Sequence, residues 1–441
     1  MRRSRIVATL ACACVLGCNL GQAGGAQENG GDSGSSPQLR VYRSRVLSSP
    51  EDPQNFLPEI RRRGQQRDSL FPVSPLRGLH DATDRGKDSL YNATHLKLGL
   101  NLNHLFQWMS DARPDKDKWG TTTDLDFMGT WELLKIGKPN QGQIYFHVEG
   151  RWDYGTTGPQ TLGFDSLGSA IGTGNAFSKY TPAFLPFRNL YWQQGSHQAG
   201  WVYRMGKITT DATLATSKHI SPVTTFLPNG GTGLFASGYP DSGIGALGTW
   251  YFSDRFAILG LVSDVYGDRQ TFGSPGKGDY YKALEFSAKI APRTKDAGYS
   301  KFTFWQTPGG KAINAATGLE GWGMTVKLEQ ELTEDGKAIG VFRWGRSWKD
   351  AAFYKQQAGV HFLYYEPQLV GTIKHDLIGT AFNWVKPSDD ARDEYNVELF
   401  YRFPIFPLVD TTLSYQSAIK PAGAPDIDHA SVFSLRLRTV F

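Results

Sequence analysis

The residues with the most chemistry to offer fall on alternate positions. Glu149, Arg151 and Asp153 follow His147 at a spacing of two, and Arg436 and Arg438 are spaced likewise. Glu398 and Arg402 lie four apart. In an extended strand these spacings put the members of each group on one face. Carboxylates accept hydrogen bonds and guanidinium groups donate them as a planar fork, so a face carrying both can hold a polar solute. Two readings stand for the 149–153 group: part of a constriction in a water-filled lumen, or a polar wall screened by water. Arg204, Glu285 and Arg343 join the set of pore-lining and solute-contact candidates.

Catalytic and metal chemistry has little support. None of the nine histidines falls in an H-E-x-x-H pattern, and no Gly-x-Ser-x-Gly elbow occurs. Gly243-Ile244-Gly245 is not followed by a helical pattern, so a phosphate cradle is not expected. All three cysteines (Cys12, Cys14 and Cys18) lie in the first eighteen residues, which leaves no thiolate site or disulfide framework downstream. The expectation is no catalytic residue, no metal and no cofactor.

The elements that position the charged groups show a period of two. Leu96, Leu98, Leu100 and Leu102 alternate with Lys97, Gly99, Asn101 and Asn103. Ile144, Phe146 and Val148 alternate with Tyr145, His147 and Glu149. The same pattern returns at 284–290, 324–329, 397–403 and 433–441. Such segments are half-apolar strands. In a soluble sandwich the apolar side packs inward; in a membrane barrel it faces lipid while the polar side lines water. Ten tryptophans, Trp305 among them, lie in or near these strands and suit the two interfacial girdles of a barrel, with core anchors of a soluble β protein as the alternative. The chain is 13% aromatic with 50 glycines and only 5 methionines, poor material for a helical enzyme. Its mean hydropathy of −0.38 is no obstacle, because the polar half of each strand hides the apolar half from an average. Leu96 to Phe441 has room for roughly 16 strands of about 10 residues with their connections. The fold expected is all-β: a transmembrane antiparallel β-barrel of about 16 strands over residues 93–441. The segment 211–240 is long, Gly-rich and aromatic, and could fold into the lumen.

Residues 1–26 read as a signal peptide, with Arg2, Arg3 and Arg5 before a short apolar run; the lipoprotein alternative cleaves before Cys18. That segment holds three arginines and no acid, so its loss lowers the net charge from +5 to +2, too little for a nucleic-acid footprint. Residues 27–92 are a polar leader, read mainly as a disordered linker to about residue 66, with a periplasmic arm or plug as the alternative. The closing strand ends on Phe441 in phase with Phe433, Leu435, Leu437 and Thr439, the form that barrel-assembly machinery receives.

Several stretches resemble the carbohydrate-selective porin family of OprB type. They are Trp201-Val-Tyr-Arg204-Met-Gly206-Lys207 with Thr216-Ser217, the run Gly243 to Gly267, and the closing segments Glu398-Leu-Phe-Tyr-Arg402-Phe, Leu413-Ser-Tyr415-Gln and Val432 to Phe441. The Trp-Gly-Gly-Leu-Arg type motif of the family is missing near the start of the mature domain. The resemblance implies a 16-stranded barrel of the bacterial outer membrane through which small sugars diffuse. It also implies an Arg- and Glu-containing constriction that handles sugar hydroxyls, with Arg436 and Arg438 as the best carried-over members. The partners expected are outer-membrane lipid, small sugars, the assembly machinery and further copies of the chain in a homo-oligomer. Alternatives are a general small-solute diffusion porin, a lipid-active outer-membrane enzyme and an envelope-binding soluble β protein.

Overall fold

The computed structural model describes residues 43–65, 68–71, 77–179, 185–308, 320–371, 373–389 and 391–441. The signal-peptide and Cys18 expectations lie outside these residues. Sixteen strands form one closed antiparallel sheet in which each strand pairs with its sequence neighbours and the last closes on the first. They are β1 (Leu96–Met109), β2 (Trp119–Leu134), β3 (Gly142–Asp153), β4 (Phe187–Ser196), β5 (Trp201–Ile208), β6 (Gly243–Tyr251), β7 (Phe256–Asp264), β8 (Tyr280–Ala288), β9 (Ser300–Pro308), β10 (Glu320–Glu331), β11 (Ala338–Trp348), β12 (Tyr354–Tyr365), β13 (Leu377–Pro387), β14 (Glu394–Phe406), β15 (Val409–Ile419) and β16 (His429–Val440). The seam runs from Asn101 opposite Val440 to Met109 opposite Val432. Closure satisfies every ladder and leaves no edge, as a bilayer demands.

The period of two fixes what faces out. Phe433, Leu435 and Leu437 are exposed on the outer wall, while Ser434, Arg436 and Arg438 between them are buried inward. On β14, Leu399 is half exposed and Glu398 is fully buried. This apolar belt circles the barrel, and the girdle tryptophans Trp108, Trp119, Trp131, Trp250 and Trp322 stand on it. Trp305 departs from the expectation: it points inward, 3% exposed, stacked on Tyr281 with centroids 6.3 Å apart.

The lumen is filled. Three pieces enter it: residues 43–65, residues 154–179 of the connection between β3 and β4, and the connection 209–242 between β5 and β6. The last confirms the inward fold expected of 211–240. Residues 43–65 do not behave as a linker. They run along the inner wall and form helix α1 (Pro53–Gln65), whose Phe56, Leu57 and Ile60 pack on Leu105, Met128 and Val440. Helix α2 (Arg77–Thr94) then leads into β1, and the Tyr91 hydroxyl donates to Glu132 Oε2 at 2.9 Å.

Because protein rather than water occupies the centre, part of the inner wall is apolar. Val202, Leu247, Leu259, Leu261 and Tyr281 face inward on β5 to β8 and join a cluster with Val46, Leu47 and Leu214. The inner face of β11 to β14 is likewise interrupted, where Ile339, Val341, Leu363, Leu377 and Phe400 pack on Ile220 and Phe226 of the inserted connection, so the strictly polar inner face expected from alternation does not hold throughout.

Candidate functional site

All ten candidate residues belong to the inner wall or its rim. Nine are less than a tenth exposed, and Asp153 is intermediate. They do not form one eyelet. Each is engaged by one of three partners: the wall itself, an inserted loop, or the N-terminal segment.

The wall network spans β2 to β4. Glu149 Oε1 accepts from Arg151 Nη2 at 2.5 Å and from Arg188 Nη1 at 3.0 Å, and Arg151 Nε donates to Asp124 Oδ1 at 2.9 Å. His147 Nε2 lies 2.8 Å from Asp126 Oδ1, and Asn101 Nδ2 donates to Asp126 Oδ2 at 2.8 Å. Alternation alone brings these side chains to one face, and the β2–β3 register sets Asp124 opposite Arg151 and Asp126 opposite Glu149. Asp126, His147 and Glu149 hold potential ligand atoms within 4.8 Å of one another. Two guanidinium groups already neutralise Glu149, so the set fits an ion-pair network better than a cation site. Asp153 sits at the rim, where its Oδ1 accepts from the Lys179 amide at 2.9 Å.

The loop anchors account for Glu285, Arg343, Glu398, Arg402 and Arg436. Inserted backbone has no ladder partner, and at membrane depth its amides and carbonyls need one. Charged wall side chains supply it. Arg436 donates to the carbonyls of Pro222 and Thr225 at 2.5 and 3.1 Å. Arg402 reaches the Thr224 carbonyl at 3.1 Å, and Arg343 the Gly231 carbonyl at 2.6 Å. Glu398 accepts from the Leu227 amide at 3.0 Å and Glu285 from the Ala215 amide at 2.6 Å. The two inserted loops are also tied together, the Asn175 amide donating to the Leu227 carbonyl at 2.7 Å.

The N-terminal segment engages Arg204 and Arg438. Glu59 on α1 receives Arg438 through both terminal nitrogens, at 2.8 and 3.1 Å. Arg63, one turn later, donates to Glu59 at 3.1 Å and pairs with Asp410 on β15. Burial opposes ionisation of Glu59, yet Arg438 and Arg63 together hold its carboxyl well below the usual range. Asp52 pairs with Arg204 at 2.5 Å and accepts from the Tyr191 hydroxyl at 3.2 Å. Gly99 makes room for the helix: a Cβ there would stand 2.4 Å from Ile60 Cδ1.

Asn101, Asp124, Asp126 and Arg188 escaped the sequence reading, as did Asp52 and Glu59. The helix had left a trace in the spacing of Phe56, Leu57 and Ile60, with Glu59 and Arg63 four apart beside them. The strand residues had none, because which rung each occupies depends on register.

On the outer wall, near the rim of long loops, Ser417 Oγ and His429 Nε2 are 2.9 Å apart. A serine and a histidine at this distance are the geometry that the lipid-active enzyme alternative would need.

No protein-family model matches the chain, and no curated protein matches it in sequence. Solved structures do. The high-pH structure of OprB from Pseudomonas putida aligns with a TM-score of 0.65 at 12% identity, covering 85% of this chain and 99% of that one. The fold is that of a porin. The low-pH structure of the same protein aligns at a TM-score of 0.51 and 10% identity, over 85% of this chain and all of that one. Within this porin fold, the closed sheet, the 16 strands and the antiparallel order agree with the expectation from sequence.

Proposed function

We propose that this porin-fold barrel sits in a bacterial outer membrane and passes carbohydrates by passive diffusion through its charged lumen. The observation that carries the reading is the sorting of one closed sheet into two faces. Leucine and phenylalanine surround the outside, and arginine and carboxylate groups line most of the inside. A water-soluble protein could not keep so continuous an apolar belt in solvent. A polar inner wall with aromatic rings beside it suits a sugar, whose hydroxyls need donors and acceptors and whose C–H face needs an apolar plane. Tyr145 and Tyr191 supply such a surface, with centroids 5.4 Å apart. Lipid around the belt, assembly machinery reading the strand that ends at Phe441, and association with further copies complete the proposal. Flux requires that part of the lumen filling moves.

Outer-membrane fractionation and liposome swelling with neutral sugars of graded size test the reading. Saturable rates that exceed those of size-matched polyols support it. Rates set by size alone leave a general diffusion porin, and release of fatty acid from phospholipid by the purified chain points to the Ser417–His429 pair instead.

A further inference from the structure

Arg438 is oriented by the wall independently of α1. Its Nε donates to Asn101 Oδ1 at 2.8 Å. Asn101 is held in turn by Asp126, and Asp126 by His147. Groups from β16, β1, β2 and β3 therefore fix the rotation of the guanidinium group and leave both terminal nitrogens facing the lumen. A fork presented in this way matches a planar carboxylate. The carboxylate found there is Glu59, which comes from outside the barrel sheet.

Arg204 repeats the arrangement on β5, five strands further round the barrel. Its Nε donates to Gln193 Oε1 at 2.6 Å, and its guanidinium lies 4.5 Å from the centroid of the Tyr191 ring. Again the wall orients the group through Nε. Again the N-terminal segment supplies the carboxylate, here Asp52.

The segment that carries both acids differs from the inserted loops in how it is held. A barrel strand continues from each end of both loops, and wall side chains bond their backbone. Residues 43–65 meet the wall chiefly through the side-chain ion pairs of Asp52, Glu59 and Arg63, with a few backbone bonds beside them, Lys301 Nζ donating to the Val46 carbonyl at 2.8 Å. An incoming carboxylate can replace such a pair bond for bond, whereas nothing small replaces a loop's carbonyls.

We propose that Arg438 and Arg204 are carboxylate-binding sites on the path of an acidic sugar, of the uronate type. Residues 43–65 are an internal stopper that fills both sites with Glu59 and Asp52 until such a solute competes for them. The inference rests on the carbohydrate-porin reading and narrows its substrate class. The tyrosines beside Arg204 provide the ring surface, and the two forks provide the charge recognition.

The test uses the full chain and its E59Q/D52N variant in planar bilayers, with sodium glucuronate and glucose as probes. Wild-type protein should open rarely in plain salt. Glucuronate should raise its open probability roughly tenfold and expose the Arg63 peptide bond to trypsin, while glucose at the same concentration does neither. The E59Q/D52N variant should open about tenfold more often without any solute. R438Q should lower glucuronate flux far more than glucose flux, and R438K, which keeps the charge without the fork, should recover only part of the difference. The inference is overturned if glucuronate and glucose act alike on wild type, or if the double variant stays as closed as wild type. Should R438Q fail to assemble, as judged by loss of its heat-modifiable band, the double variant still decides, because it leaves the wall untouched. Neutral sugars passing the open variant strictly by size would remove the sugar reading and leave the carboxylate sites standing. Saturable neutral-sugar flux with inert glucuronate would do the reverse.

Discussion

The loop 209–242 and the segment 43–65 fill the same lumen by opposite means. The loop is held through its backbone: Arg436, Arg402 and Arg343 bond its carbonyls, and Glu398 and Glu285 bond its amides. The segment is held mainly through side chains, the charged Asp52, Glu59 and Arg63 and the apolar Val46, Leu47, Phe56, Leu57 and Ile60, with one carbonyl, that of Val46, bonded by Lys301 at 2.8 Å. A backbone group pulled from its partner inside a barrel is left unpaired, which makes the loop a permanent part of the wall. A side-chain ion pair can be exchanged for a solute, for water or for salt. One inserted piece is built into the wall through its backbone, and the other rests largely on bonds that a solute can exchange.

Cutting a loop anchor should hurt the barrel most. Arg436→Ala removes two carbonyl partners at a buried site, so a loss on the order of 2–4 kcal/mol is expected. It should appear as a lower temperature for loss of the heat-resistant band and faster amide exchange at residues 222–227. Barrel stability equal to wild type would mean that the loop is held elsewhere.

Gly99→Val should act on the segment alone. The new side chain occupies the space of Ile60 and Leu57 without touching a charged group. Unseating α1 forfeits burial of Phe56, Leu57 and Ile60, roughly 1.5–3 kcal/mol each. Trypsin should then reach Arg63 while the heat-resistant band keeps its temperature. A shift in both would erase the distinction between the two pieces.

pH should act on the two pieces through different acids. The Glu59 carboxyl is held below its ordinary range, so its contribution is complete above the usual carboxylate pKa and fails only as pH falls far into acid. Between about pH 7 and 4.5 the Glu59 pairs should hold, while Glu51 on the same segment, pushed up by burial with Arg188 opposing, favours a seated segment more as pH falls. Asp211, on the loop, is pushed up to about 6 by burial, with Asp241 adding to the rise and Arg188 opposing it. A raised acid costs stability as pH climbs from the ordinary carboxylate range through that value, so the loop should be tighter near pH 4.5 than at neutrality. Hydrogen exchange at Ala212–Ala215 and at α1, followed across the same range, reads both. The smallest effect expected is that of salt: raising ionic strength from about 0.1 to 1 M should loosen the segment slightly and the loop less, because buried pairs are poorly screened.

The contrast also separates what could be read from the chain from what could not. Leu96–Leu102 and Phe433–Phe441 announced strands and their outward-facing apolar sides, since a period of two is a local property that no tertiary contact needs to create. Length set the strand number, and the inward direction of Arg436, Arg438, Glu398 and Arg402 followed from phase. Their partners did not follow. Arg436 and Arg438 are two residues apart on one face, yet one holds a loop carbonyl and the other a helix carboxylate. That outcome depends on which segments enter the lumen, and the polar composition of 43–65 hid its apolar anchors from an average. Trp305 was misread for the same reason: an inward position touches whatever fills the barrel, and here that is protein rather than water. Alternation, a property of each strand alone, determined the faces of this barrel. Only the three-dimensional arrangement decided what each face would meet, because register and lumen filling join residues hundreds of positions apart.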